Sequence, residues 1–287
     1  MERPAVDVVV PVAAGDAAGL RAVLGRFHAT LDLEPGDTLT VVDNLGLGVA
    51  ETDVLVAAEV RTSYYARNRG AARGVAEWLL FLDGDVTPEP GLLDALFDPP
   101  PGPKVGVLAG AIRDGPPGIG AASRFTALKG AMSQEVVLAH GEWAFAQTAN
   151  ATIRRSAFAA AGGFCAGVRS GGDADLCWRL RAAGWELASR PAAVVVHANR
   201  ARLRAMLAQR FRHGAGAGWL ARRWPGALPA RRWPGLVRWG LMRALVGALA
   251  LARGDRDAAT LGLLDGPAVW AFELGRLVPN RPMRRRR

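Results

Sequence analysis

Four short apolar runs, Asp7–Val12, Thr38–Asp43, Trp78–Leu82 and Val105–Ala111, recur along the first 111 residues. Between them lie segments of helical length or spacing, Ala17–Leu31, Ala66–Glu77 and Gly91–Leu96. A brief run that is apolar at nearly every position reads as a strand covered on both faces. Strands that alternate with helices assemble as βαβ units around a sheet. The expected class is therefore α/β, with a mixed, mainly parallel, Rossmann-like sheet and flanking helices. In open sheets of this kind ligands bind beyond the carboxyl ends of the strands. Acidic residues stand there: Asp43 ends one run and Asp83 follows Trp78-Leu79-Leu80-Phe81-Leu82.

The middle of the chain, Ala121 to His197, is mixed. One helix is expected over Ala121–Ala139, short strands around Gln147–Ile153, a helix after Asp173, and a buried strand Ala192–Val196 ending at His197. Beyond it the pattern is helical and basic. Arg222-Arg223-Trp224-Pro225-Gly226 recurs as Arg231-Arg232-Trp233-Pro234-Gly235, too few copies for a repeat architecture and suited to a connector between helices. Its tryptophans and arginines also suit a membrane interface. We expect a catalytic-type domain over 1–218 and a basic helical extension over 219–287.

Half of the 287 residues are hydrophobic, enough for a large core, and 22% are charged, which excludes a disordered or fibrous chain. Cys165 and Cys177 fit no zinc or redox spacing and suit a reducing cytoplasm. Met1 to Pro4 lead straight into the first strand, so no targeting segment is expected. The apolar stretch Leu236–Ala252 is broken by Arg238 and Arg243, short of the roughly 20 apolar residues of a spanning helix.

The formal net charge is +10, and its placement is uneven. No acidic residue lies between Glu186 and Asp255, where thirteen arginines occur, and Arg284 to Arg287 close the chain. Nucleic acid, anionic lipid and phosphorylated substrates all fit such a surface. Lys104 and Lys129 are the only lysines, which points to compositional bias toward arginine, and no nucleic-acid partner is assigned.

Asp83-Gly84-Asp85 carries the first chemical signal. Carboxylates at i and i+2 of an extended chain point the same way, hard divalent cations bind such oxygens, and a metal neutralises a leaving diphosphate. Aspartate and glycine are also ordinary turn residues, and Pro88 lies just beyond.

The ordered set is more specific than any one piece: Tyr65-Ala66-Arg67-Asn68-Arg69-Gly70, then Trp78 to Val86, then Ala149-Asn150-Ala151-Thr152, Gly162-Gly163-Phe164, and Gly172-Asp173-Ala174-Asp175-Leu176-Cys177-Trp178-Arg179-Leu180. In this order and spacing it resembles the family 2 glycosyltransferases, inverting enzymes of the GT-A nucleotide-sugar-binding fold, over roughly Val6 to Gly218. The resemblance implies a nucleotide-diphosphate-sugar donor, an acceptor hydroxyl on a glycan, lipid-linked or small molecule, and Mg²⁺ or Mn²⁺. It implies donor contacts from Pro11, Val12, Asp43, Arg67, Arg69, Asp83, Gly84, Asn150 and Arg212. Asp85 matches the direct metal ligand with Asp83 in support, His197 a third metal ligand, and Asp173 the general base.

Other readings stay open beside these. Gly172-Asp173 also reads as the acidic start of a helix, His197 as a structural histidine, and Gln209-Arg210-Phe211-Arg212-His213 as a basic helix face. Ala13-Ala14, Asn44-Leu45-Gly46 and Gly172 depart from the family pattern. A nucleotidyltransferase shares such a sheet, but Ala13-Ala14-Gly15-Asp16 lacks its basic loop; a non-catalytic sugar-nucleotide-binding protein of the same fold is the other alternative. The expected location is cytoplasmic, peripheral on the inner face of the membrane if the basic tail lies on lipid.

Overall fold

A computed structural model describes residues 3–116, 120–130, 132–198, 202–229 and 231–282; Arg200 and the terminal arginines Arg284 to Arg287 lie outside the described residues. The strands are β1 (Val6–Val12), β2 (Thr38–Asp43), β3 (Val54–Val56), β4 (Trp78–Leu82), β5 (Val86–Pro88), β6 (Val105–Asp114), β7 (Asn150–Arg154) and β8 (Glu186–His197). The α-helices are α1 (Ala17–Thr30), α2 (Ser63–Ala71), α3 (Leu92–Phe97), α4 (Ala121–Lys129), α5 (Gln134–Leu138), α6 (Arg155–Ala160), α7 (Gly172–Ala182), α8 (Leu203–Arg223), α9 (Trp233–Ala252) and α10 (Arg256–Gly275).

The strands form one sheet in the order β3-β2-β1-β4-β7-β6-β8-β5. β1 runs parallel to β2 and β4, β2 to β3, and β6 to β8, while β7 and β5 pair antiparallel with their neighbours. Alternation along each strand builds two cores. Val8, Val10, Val12, Trp78, Leu80 and Leu82 face α1 and α3. Val9, Val42, Leu79 and Phe81 face the other way, onto α2, α6 and α7.

The elements depart from the expected ranges where tertiary contacts or glycine intervene. α2 starts at Ser63, capped by the Thr62 side chain, and stops at Ala71 instead of running to Glu77. The residues that follow are held elsewhere: Ala76 donates its N–H to the Asp7 carboxylate, and Arg155 donates to the carbonyls of Ala71 and Ala76. The single helix expected over Ala121–Ala139 is two, because Gly130 turns left-handed at φ 54° and ends α4. Asn150–Arg154 forms one strand where short strands were expected around Gln147–Ile153. β8 is longer than the apolar run Ala192–Val196, beginning at Glu186.

α8 and α10 pack backbone to backbone. A Cβ at Gly214 would stand 1.9 Å from the Phe272 carbonyl oxygen. α9 meets α10 in the same way, Gly262 lying against Gly247 so closely that a Cβ there would be 2.5 Å from the Gly247 Cα. α9 runs unbroken through Arg238 and Arg243 for 20 residues and is long and apolar enough, by length and composition, to cross a membrane. The shorter run read from the sequence had not allowed that.

Gly70 lets α2 approach the sheet, since a Cβ there would sit 2.4 Å from Val9 Cγ1 and 3.0 Å from Val42 Cγ2. Both valines are fully buried and β-branched, with little room to move. Gly70→Ala should therefore destabilise the fold by about 1–3 kcal/mol, the usual cost of overpacking a core, seen as a lower urea midpoint with an unchanged slope.

Candidate active site

The parallel pairing of β1 with β2 and β4 brings three carboxyl ends to one edge, with Val12 opposite Asp43. Pro11 and Val12 therefore lie beside the turn that follows β4. Asp83-Gly84-Asp85-Val86 is a turn and not extended chain, with the Val86 N–H donating to the Asp83 carbonyl at 3.2 Å. Gly84 is pressed onto β1: a Cβ there would be 3.2 Å from Val12 Cγ2 and 3.3 Å from the Pro11 carbonyl oxygen. From α1, Arg26 donates to the Gly84 carbonyl and pins the turn from outside. Nothing in the sequence marks Arg26, because its role depends on how α1 crosses the sheet.

Because the segment turns, its two carboxylates take different partners. Asp83 binds the Arg67 guanidinium. Asp85 stands with its Oδ2 3.6 Å from His197 Nε2, where β5 pairs with the end of β8. Among the described residues no three histidine, cysteine or acidic side chains form a metal-binding group, so Asp83, Asp85 and His197 are divided into an ion pair and a carboxylate–imidazole pair. The second pair suits a hard or borderline divalent cation that keeps positions open for phosphate oxygens. Its imidazole Nδ1 is buried without a partner among the described residues.

Arg67 is 3% exposed and lies over the rings of Tyr64 and Phe164, 5.5 and 5.9 Å from their centroids. Tyr64, one helical turn before it, donates its hydroxyl to Asp173 Oδ1 at 3.3 Å. That approach requires Gly172: a Cβ there would stand 2.8 Å from the Tyr64 ring. The position that departs from the family pattern is thus filled by an aromatic ring from another helix. Tyr64 escaped the sequence reading, since it reaches Asp173 from 109 positions away.

Asp173 opens α7, half-buried, and also accepts the Ala174 N–H at 3.0 Å. Burial raises its pKa above the ordinary carboxylate value, and the Ala174 N–H, the Arg67 charge and the Tyr64 hydroxyl oppose the rise without cancelling it. Burial, followed by the charge of Asp173, raises the Tyr64 pKa, so the phenol remains a neutral donor. Asp175 is different in kind. It is fully buried and accepts from Arg179 Nε at 3.0 Å, Arg223 Nε at 2.5 Å and Trp224 Nε1 at 3.0 Å. The first Arg-Arg-Trp-Pro-Gly copy, read as suited to a membrane interface, therefore has Arg223 and Trp224 committed to the fold.

The remaining residues are placed as follows. Asp43 is fully buried, and its carboxylate accepts the N–H groups of Leu45, Gly46, Leu47 and Gly48, shaping the loop after β2. Asn150 is also fully buried; its Nδ2 donates to Ala111 and Ala193 where β6 and β8 shift register, and its Oδ1 has no partner among the described residues. Arg69 is exposed on α2, its charge acting on Glu59 and Tyr65 rather than on the Arg67 cluster. Arg212 is half-buried on α8, one turn before Gly216, whose Cα faces Ser170 in the loop leading to Asp173. The structure thus gathers Pro11, Val12, Gly84, Asp83, Arg67 and Asp173, with Asp85 and His197 alongside, and leaves Arg69 outside.

No protein-family model matches the chain. Over 256 residues, 86% of its length, it is 32% identical to the pre-mycofactocin glycosyltransferases of Mycobacterium tuberculosis strains CDC 1551 / Oshkosh and H37Rv. Those residues are 54% of the relatives, so the chain spans about half the length of the curated proteins it matches. Among solved structures it resembles the mannosyltransferase PcManGT from Pyrobaculum calidifontis in complex with GDP-Man and Mn²⁺, with a TM-score of 0.59 at 19% identity, covering 94% of this chain and 87% of that one. It also resembles GalNAc-T7 with UDP, GalNAc and Mn²⁺, with a TM-score of 0.50 at 14% identity, covering 69% of this chain and 44% of that one. The fold is the GT-A fold expected from the sequence.

The raised pKa of Asp173 has a stability consequence. With the folded value above the unfolded one, the native state holds the proton more tightly, so this site costs stability as pH rises above the ordinary carboxylate range. Asp173→Asn keeps an acceptor for Ala174 and Tyr64 without the charge. Its melting temperature should exceed that of the wild type at pH 7, and the difference should vanish in acid below the ordinary carboxylate pKa, as followed by scanning calorimetry across pH.

Proposed function

We propose that this chain is an inverting, metal-dependent glycosyltransferase of family 2 that moves a sugar from a nucleotide-diphosphate donor to an acceptor hydroxyl, with Asp173 as general base. The observation that carries the reading is the junction of a half-buried carboxylate of raised proton affinity with the acidic turn after β4, through Tyr64 and Arg67. The relatives' names support glycosyl transfer, and the complexes of the structural neighbours with GDP-Man or UDP and Mn²⁺ support a nucleotide-sugar donor.

Donor binding falls to Pro11, Val12, Gly84 and the Asp43-shaped loop for the nucleotide, and Asp83 would contact the ribose or the water shell of a bound metal. Arg67 keeps Asp83 oriented. Asp85 and His197 would hold Mg²⁺ or Mn²⁺, which supplies charge neutralisation of the departing diphosphate. Asp173 takes the proton of the acceptor hydroxyl, whose oxygen attacks the anomeric carbon on the face opposite the leaving group. One carboxylate suffices for this single displacement. Nucleotidyl transfer is disfavoured because the loop after β1 carries no cation; Asp16 there accepts the Gly19 N–H at 2.7 Å and caps α1. Free Cys165 and Cys177 fit a cytoplasmic enzyme, and the basic tail fits a peripheral site on the inner membrane face.

The test is metal-dependent release of nucleoside diphosphate from a panel of nucleotide sugars by the full chain. We expect turnover with Mn²⁺ or Mg²⁺ that Asp173→Asn lowers by about 10²–10⁴-fold, the usual contribution of a general base. Asp85→Ala should abolish metal-dependent donor binding in calorimetry; unchanged donor affinity would remove the metal assignment. Tyr64→Phe withdraws a hydrogen bond that favours ionised Asp173, so the acidic limb of the rate profile should move to higher pH. A profile that stays in place would show that Tyr64 does not tune the base.

A further inference from the structure

α9 uses one side of itself to dock. Leu236, Gly240, Gly247 and Ala250 are buried, and Trp270 of α10 donates its indole N–H to the Leu236 carbonyl. Midway, Arg243 reaches Asp265 of α10 at 2.9 Å, and Lys129 of α4 closes on the other Asp265 oxygen at 2.6 Å. These contacts hold α9 along its length against the body of the protein.

Among the described residues the opposite side has no protein cover. Leu241, Met242 and Leu245 are each more than half exposed, and Val246 and Leu249 nearly so. Leu241, Leu245, Leu249 and Ala252 recur at three- and four-residue spacing, so they form a continuous apolar stripe. A helix of this length is about 30 Å long. A stripe of that kind on a soluble monomer marks a contact surface.

Charge identifies what the stripe meets. Arg231, Arg232 and Arg238 at one end and Arg253 at the other are exposed, Trp233 and Trp239 stand among the first group, and no acidic residue occurs from 187 to 254. Arginines and tryptophans bounding an apolar helix face match the interfacial layer of a membrane with anionic headgroups. Crossing the bilayer is a poorer fit despite the helix's length. α10 lies against α9 and would be drawn in with it, carrying Asp257, Asp265 and Glu273.

We infer that the outer face of α9 is an in-plane docking surface for an anionic lipid bilayer, seating the enzyme on the membrane without spanning it. This rests on the peripheral location proposed above and is independent of the transfer chemistry.

The experiment is co-sedimentation of the full chain with vesicles of phosphatidylcholine, alone or mixed with phosphatidylglycerol, at low and high salt. Binding should be strongest to the anionic vesicles, weaken with salt, and be released by alkaline extraction. Arg238→Gln should weaken it about fivefold, the equivalent of about 1 kcal/mol per surface cation. Leu245→Glu with Leu249→Glu, both at exposed positions, should abolish it while circular dichroism stays native. No binding to anionic vesicles at low salt would overturn the inference, and resistance to alkaline extraction would overturn the in-plane placement. A vesicle-free dimer in sedimentation velocity that the double variant dissociates would assign the face to a second copy instead. Nucleotide-sugar hydrolysis measured in parallel separates this outcome from that of the catalytic proposal, because the double variant leaves the site intact.

Discussion

Arg67 lies almost wholly out of water over the rings of Tyr64 and Phe164, and a buried guanidinium is stable only while a carboxylate stays beside it. Asp83 is that carboxylate. The ion pair therefore fixes where the turn after β4 sits relative to α2, and Tyr64 carries the same helix's influence to Asp173. One cation thus couples the acidic turn to the start of α7, two segments that the chain separates by some ninety residues. The positive charge also opposes the rise that burial imposes on the proton affinity of Asp173.

The close approaches around this pair depend on missing side chains. Gly70 lets α2 settle on Val9 and Val42, Gly84 lets the turn press against β1, and Gly172 leaves room for the Tyr64 ring. Asp175 then locks α7 from its inner side to the end of α8 through Arg223 and Trp224. Two acids two residues apart on one helix end up with opposite environments: Asp175 is saturated by cations and an indole, whereas Asp173 faces a single phenol, its own helix's N–H and a distant guanidinium. That contrast is why Asp173, and not Asp175, is the proposed base.

The sheet was readable because strands buried on both faces leave unbroken apolar runs; Thr38–Asp43 and Trp78–Leu82 match to the residue. Where a boundary depends on a distant contact, the local pattern misled. Helix propensity carries Ala66 onward to Glu77, but Asp7 and Arg155 claim the backbone of that stretch. Gly130 breaks what apolar spacing alone joins. In the site, Asp83 and Asp85 were legible as residues while their directions were not, since the same three letters serve extended chain and turn. Tyr64 and Arg26 had no local signal at all, because each acts only through the packing of one helix against a distant segment.

If Asp173 is the lone base of a single displacement, the sugar must change its anomeric configuration. The direct measurement is proton NMR of the anomeric coupling in the first-formed product from a donor of known configuration, before mutarotation sets in. The account predicts inversion, an α-linked donor giving a β product. A product of retained configuration would contradict it, since a single displacement from the face opposite the leaving group inverts the anomeric carbon.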